Sequence, residues 1–173
     1  MTKPIKNSYP VIPGKFFAGE YPRDASDEES LRKINLFLDF GITDFIDLTQ
    51  EMELKPYQHW LNNARHHRFP IRDVSIPHSP ALTQSILDTI DELLAQDRKV
   101  YLHCWGGIGR TGVIVGCWLS RHGLKGEEAL YRLNELWQEC PKSSYTLSPQ
   151  TMEQHAYVIC WEESDPDTGE SLE

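Results

Sequence analysis

The 173-residue sequence has no long apolar run. Its most continuous stretch, Val113 to Leu119, falls far short of the ~20 residues needed to cross a bilayer. Met1-Thr2-Lys3-Pro4-Ile5-Lys6-Asn7 carries charge with no apolar segment behind it, so no secretory signal is expected. Four cysteines (Cys104, Cys117, Cys140 and Cys160) form no Cys-x-x-Cys pair, which argues against a zinc ribbon or thioredoxin-type centre. They read as thiols of a reducing cytoplasm, not as a disulfide framework. Seven histidines include adjacent His66 and His67 but show no His-Glu-x-x-His or His-x-His spacing, so no metal site is expected. Positive charge is also scarce: the net charge is −9, which disfavours nucleic acid as a partner. With 39% apolar and 25% charged residues, the composition is that of a globular domain. A membrane span, a secreted disulfide scaffold and a disordered chain are excluded.

What remains is patterned sequence sufficient for one domain. Glu162, Glu163, Asp165, Asp167, Glu170 and Glu173 supply six negative charges at the end of the chain. Residues 1–162 therefore read as the domain and 163–173 as an acidic, mobile tail. Residues 11–20 read as a strand. Ser26-x-x-Glu29 is a capping box opening a helix that Gly41 closes. Strands follow at 42–49, 67–72 and 100–103, with a short helix after Pro56 and longer ones at about 83–96, from the Gly-rich stretch to about Arg121, and at about 126–139 and 149–162. The last is placed behind Ser148 as N-cap and Pro149 in the first turn. Strands alternating with helices predict an α/β fold: a mostly parallel, twisted sheet of four to five strands flanked by helices.

The chemistry is concentrated in Val100-Tyr-Leu-His-Cys-Trp-Gly-Gly-Ile-Gly-Arg-Thr-Gly112. A buried strand runs into a thiol, then a loop with three glycines, then a helix opened by an arginine and a threonine. Glycines let backbone N–H groups turn toward one centre and form an anion nest. The helix N-terminus adds its own N–H groups and partial positive charge. Arg110 offers a planar fork that matches two oxygens of a phosphate. Cys104 lies where that field favours the thiolate. Gly107-x-Gly109-x-x-Gly112 also satisfies a dinucleotide fingerprint, but the second strand and its acidic residue are missing, because Glu127 to Glu139 is helical. No Gly-Lys-Ser/Thr is present for a nucleotide P-loop.

The full string His103-Cys104-(x5)-Arg110-Thr111-Gly112 resembles the signature of the protein tyrosine phosphatase superfamily, and the small size resembles its dual-specificity-like branch. The resemblance implies the phosphatase-type three-layer fold. It implies Cys104 as nucleophile and the N–H groups of Trp105, Gly106, Gly107, Ile108, Gly109 and Arg110, with the Arg110 guanidinium, as the phosphate cradle. Thr111 matches the hydroxyl set against the cysteine sulfur, and His103 matches a residue supporting the loop. Gln150-Thr151-Met152-Glu153-Gln154 is similar to a glutamine motif that positions hydrolytic water, which makes Gln150 and Gln154 candidates.

A phosphomonoester leaving group needs a proton, so a carboxylic acid is expected over the cradle. Strand C-termini share one edge of a parallel sheet. Asp97 precedes the Cys104 strand and falls ~20 Å away, at the opposite edge. Asp88 and Asp91 lie on a helix remote from that edge. Asp73 enters the correct edge, and Asp73-Val-Ser-Ile-Pro77 resembles the family's acid loop, although Ile71-Arg72 departs from the residues usual before it. Glu51 or Glu53 stands in reserve.

Phosphoinositide phosphatases of the superfamily this chain resembles carry lysines inside that loop, and none of Trp105, Gly106, Gly107, Ile108 and Gly109 is basic, so the resemblance disfavours lipid or polyphosphate substrates. Trp105 and Ile108 suit an apolar or aromatic leaving group. Arg65, His66, His67, Arg68 and Arg72 form a basic run that is either solvated or draws a second acidic group on the substrate. The expected partner is a phosphorylated protein or peptide carrying phosphotyrosine, phosphoserine or phosphothreonine. No cofactor, metal, nucleic acid or membrane is expected, and the chain is expected to be a monomer. A phosphate-binding module without turnover, or a phosphatase of a non-protein phosphomonoester, is the alternative.

Overall fold

The computed structural model describes residues 2–163. The expected acidic tail thus falls almost wholly outside the described residues. Ser8–Ile12 (β1) and Phe16–Gly19 (β2) form an antiparallel hairpin where one strand was expected. The Pro13-Gly14 pair turns the chain back between them. Helix α1, Asp27–Phe40, has the capping box: the Ser26 hydroxyl accepts from Glu29 N–H, and the Glu29 carboxylate accepts from Ser26 N–H. Strand β3 is Asp44–Asp47 and β4 is Arg65–Arg68, with one 3-10 turn at Gln58–Trp60 between them. Helix α2 (Pro80–Ala95), strand β5 (Val100–His103), and helices α3 (Gly109–Arg121), α4 (Glu127–Trp137) and α5 (Met152–Ile159) follow. Among the described residues no helix is long and apolar enough to cross a membrane.

The sheet has five strands in the order β1-β2-β5-β3-β4, parallel except for β1. Side chains alternate between its faces, as the two-residue period of a strand requires. Phe16, Ala18, Ile46, Val100 and Leu102 pack in one core with α2, α3, α4 and α5. Phe17, Phe45 and Tyr101 pack in the other with Ile34 and Phe37 of α1 and with Tyr57. Each such large apolar side chain contributes roughly 1.5–3 kcal/mol on burial. The architecture is three layers with the sheet in the middle.

Of the boundaries that differ from expectation, two bear on the site. Strand β4 ends at Arg68, because Pro70 has no N–H for a ladder. Its alternating side chains meet two buried aspartates of β3: Arg65 and His67 reach Asp44, while His66 and Arg68 reach Asp47. The basic run is therefore largely neutralised within the sheet. Helix α5 begins after Thr151, whose hydroxyl accepts from Gln154 N–H while Gln154 Oε1 accepts from Thr151 N–H. Ser148 does not cap it, since its hydroxyl donates to the Ile108 carbonyl at 2.7 Å.

Register decides where the site forms. Gly19, His103, Asp47 and Arg68 are paired in one row across β2, β5, β3 and β4. The segments after these residues leave the sheet along the same edge, where open parallel sheets place their ligands.

Candidate active site

Cys104 follows β5 at that edge and is only 3% exposed. Five residues later α3 begins. Unlike α1, α2 and α5, this helix has no side-chain cap on its first turn. Its unfilled N–H groups and dipole are left to act on the loop before it. The loop is pinned from several sides. Tyr21 N–H donates to the Trp105 carbonyl at 2.8 Å, and Lys142 Nζ donates to the Gly106 carbonyl at 2.8 Å. Gly107 has φ +73°, and a Cβ there would lie 2.3 Å from the Gly19 carbonyl carbon. At Gly109 a Cβ would meet the Gln154 side-chain amide at 2.9 Å and displace it, whereas at Gly107 backbone leaves no room for a side chain.

His103 lies beneath the loop, fully buried. Burial pushes its pKa down to about 4 against the pull of the nearby Asp47 charge, so the ring is neutral at pH 7. One nitrogen, Nδ1, is 3.0 Å from the Cys104 carbonyl, which can only accept, so Nδ1 carries the proton. Tyr57 O–H then donates to Nε2 at 2.6 Å. This arrangement is a support for the loop backbone.

Arg110 is 1% exposed and held by three groups. Its guanidinium donates to both Glu53 oxygens, at 2.9 and 2.7 Å, and to the Ile71 carbonyl at 3.0 Å. Asp73 Oδ1 lies 3.1 Å from Nη2. Burial would lower the arginine pKa, but the Glu53 hydrogen bonds and the Cys104 and Asp73 charges outweigh it and raise it. Burial likewise pushes Glu53 up, yet the bonds from Arg110 hold its carboxyl below the ordinary value. Glu53 is thus ionised and clamps the arginine, so it has no proton to give. From the sequence alone Glu53 is only a reserve acid. Its position on the loop after β3 was legible, but its partner 57 residues away was not.

The remaining candidates are placed as follows. Asp73 is half exposed at the cleft mouth, on the loop after β4. Arg110 Nε and Thr111 Oγ1 are both buried without a hydrogen-bond partner among the described residues. Gln150 lines the cleft, whereas Gln154 is fully buried, occupied by the α5 cap and donating to the Ser75 carbonyl of the Asp73 loop at 3.0 Å. Asp97 pairs with Lys15 at the opposite edge, and Asp88 and Asp91 hold Arg121. Cys117 is buried and its thiol is pushed well up by burial. A cleft of about 720 Å³ opens over Cys104, walled by apolar Tyr21, Leu54, Val74, Trp105 and Ile108. An oxyanion seated on this loop would meet N–H groups, an arginine and a thiol at its floor and a carboxyl at its rim.

Residues 19–124 match the family described as Tc-R-P, polymorphic toxin system, DSP-PTPase phosphatase. The chain is 32% identical over 89 residues to "Putative tyrosine phosphatase 067L" of Invertebrate iridescent virus 3, covering 46% of this chain and 35% of that protein. It therefore spans about a third of that relative's length. Among solved structures, Tk-PTP in the active form is similar with a TM-score of 0.71 and 21% identity, covering 88% of this chain and 93% of that one. PTPMT1 in complex with PI(5)P gives a TM-score of 0.66 at 16% identity, covering 88% and 92%. At these identities the structures show a shared fold.

Proposed function

The chain belongs to the DSP-PTPase phosphatase family, and from that premise we propose that it is a cysteine-dependent phosphomonoesterase acting on phosphotyrosine and on phosphoserine or phosphothreonine in proteins. One observation carries the proposal. Asp73 and Arg110, brought from separate strand ends, meet at 3.1 Å beside the uncapped helix that follows Cys104.

In the first step the Cys104 thiolate attacks phosphorus and the bond to the leaving oxygen breaks, with Asp73 giving that oxygen its proton. Loop N–H groups and the Arg110 guanidinium hold the three equatorial oxygens as charge shifts. In the second step water attacks the thiophosphoryl phosphorus, Asp73 takes its proton, and sulfur leaves toward the Thr111 hydroxyl. Gln150, which lines the cleft, is the side chain we assign to orienting that water. His103 and Gln154 hold the loop and the Asp73 segment. The charge stabilisation is supplied by the protein, so the reaction runs without a metal. The apolar wall of Tyr21, Leu54 and Trp105 supports an aryl leaving group, and the absence of cations within Trp105 to Gly109 weighs against a phosphoinositide. Four unpaired thiols fit a reducing compartment such as the cytoplasm.

The test is para-nitrophenyl phosphate hydrolysis against pH with EDTA present. Wild type should be active and Cys104→Ser inactive. Asp73→Asn should lose the basic limb of its profile, since that limb reports the protonated acid. An inactive wild type would favour a binding module, and activity surviving in Cys104→Ser would remove the nucleophile.

A further inference from the structure

The protein is acidic, yet its cleft is not. Leaving aside Arg110 and Asp73, the wall carries Arg23, Lys33, Lys55 and Lys142 against Glu20 and Asp24. Arg23 is occupied outside the cleft, ion-paired to Asp27 and stacked on Trp60. The lysines are arranged differently. Lys33 Nζ, from α1, and Lys142 Nζ, from the segment after α4, each take one oxygen of the same Glu20 carboxylate, both at 2.8 Å. Two ammonium groups share one carboxylate, so the cluster carries one net positive charge. Their side chains are 11% and 17% exposed, which limits screening by water.

The donors on the cluster are not used up. An ammonium has three N–H groups. Lys33 uses two, on Glu20 and the Arg23 carbonyl. Lys142 uses two, on Glu20 and the Gly106 carbonyl. The Gly106 contact fixes the distance scale, because that carbonyl belongs to the loop under the scissile phosphate. Glu20 itself is anchored: Asn7 Nδ2 donates to Oε2 at 3.1 Å, and Tyr101 O–H donates to the Glu20 carbonyl at 2.6 Å. The cations are therefore held in place before any ligand arrives, which lowers the ordering cost of binding.

We propose that Lys33 and Lys142, braced by Glu20, form a second anion subsite that receives an acidic side chain flanking the phosphorylated residue of a peptide substrate. This rests on the phosphoprotein reading above and names the sequence class that reading leaves open. Exposed Trp105 and Val74 at the mouth give the flanking peptide apolar surface to lie on. The cations stand on the wall and not inside the loop, so they meet a neighbouring group and not the transferring phosphoryl.

The test compares two phosphotyrosyl peptides of equal length whose flanking residues are glutamates in one and glutamines in the other. At low ionic strength wild type should favour the glutamate peptide about fivefold in kcat/KM, the scale of one charge-assisted hydrogen bond in a partly wet site. Glu20→Gln should raise that preference, because it removes the neutralising charge and leaves two cations. The double variant Glu20→Gln/Lys33→Met, which leaves one cation where Glu20→Gln leaves two, should bring the preference below that of Glu20→Gln. Equal hydrolysis of both peptides by wild type overturns the subsite alone. So does a Glu20→Gln variant that slows both peptides in the same ratio, as a purely structural bridge would. Wild type active on para-nitrophenyl phosphate but on neither peptide overturns the phosphoprotein reading and the subsite with it. Preference for an inositol bisphosphate over both peptides does the same.

Discussion

Two carboxylates reach Arg110, and their surroundings separate their roles. Glu53 gives both oxygens to the guanidinium and is held ionised, while Asp73 touches Nη2 from the half-exposed rim. Replacing Glu53 by Gln keeps the shape but removes a charge-assisted pair, which is worth about 1.5–3 kcal/mol. Glu53→Gln should therefore lower kcat/KM about tenfold or more by letting the arginine fork wander. Its pH profile should keep the basic limb that Asp73→Asn loses. A Glu53→Gln enzyme without that limb would make Glu53 the acid and reverse the two roles.

At the scale of the elements, the loop after β5 depends on contact with the end of β2. Gly107 lies against the Gly19 carbonyl so closely that a methyl group has no room, and its φ is positive as well. Backbone, unlike a flexible side chain, cannot step aside. Gly107→Ala should cost about 1–3 kcal/mol in strain and push the loop from β2. Phosphate should raise the Tm of wild type, and the variant should stay folded by far-ultraviolet circular dichroism but lose that rise. An undiminished phosphate shift would mean that the loop does not need this approach. The same scale explains α5. The Pro149 signal pointed to an earlier start, but Ser148 is engaged by the Ile108 carbonyl, and the capping box three residues on was the better signal.

For the whole molecule, titration couples the buried layer under the loop to stability. His103 is neutral in the fold, with its pKa pushed down to about 4, and takes a proton near its ordinary 6.5 once unfolded. Between those values the unfolded chain binds more protons, so stability is fully present above 6.5 and falls as pH drops toward 4. The integrated loss is about 3 kcal/mol. Below that window the loss continues through Glu20 and Asp44, where pairing with lysine or arginine outweighs burial, and through Asp47, where the neighbouring His103 and hydrogen bonds from His66 and Thr49 outweigh it, so that all three carboxyls lie below their ordinary values. Urea midpoints measured from neutral pH down to about 4 should fall steadily. A flat profile above pH 5 would mean that His103 is not buried neutral.

Local structure was legible in the amino-acid order. Residues 104–112 marked a turn from a strand into a helix, Ser26 and Glu29 marked a helix start, and Asp73 stood at the same sheet edge as Arg110 because strand ends can be counted. These signals rest on neighbours within a few residues or on a strand's two-residue period, and the chain carries them wherever it folds. Partner choice was not legible. That Glu53 and not only Asp73 grips Arg110, that the basic run of β4 is absorbed by Asp44 and Asp47, and that Lys33 and Lys142 converge on Glu20 all depend on strand order and register. A charge in the sequence has no direction. Only the packed sheet, by bringing loops distant in the chain to one edge, decides which opposite charge it meets and which face of it is left for a substrate.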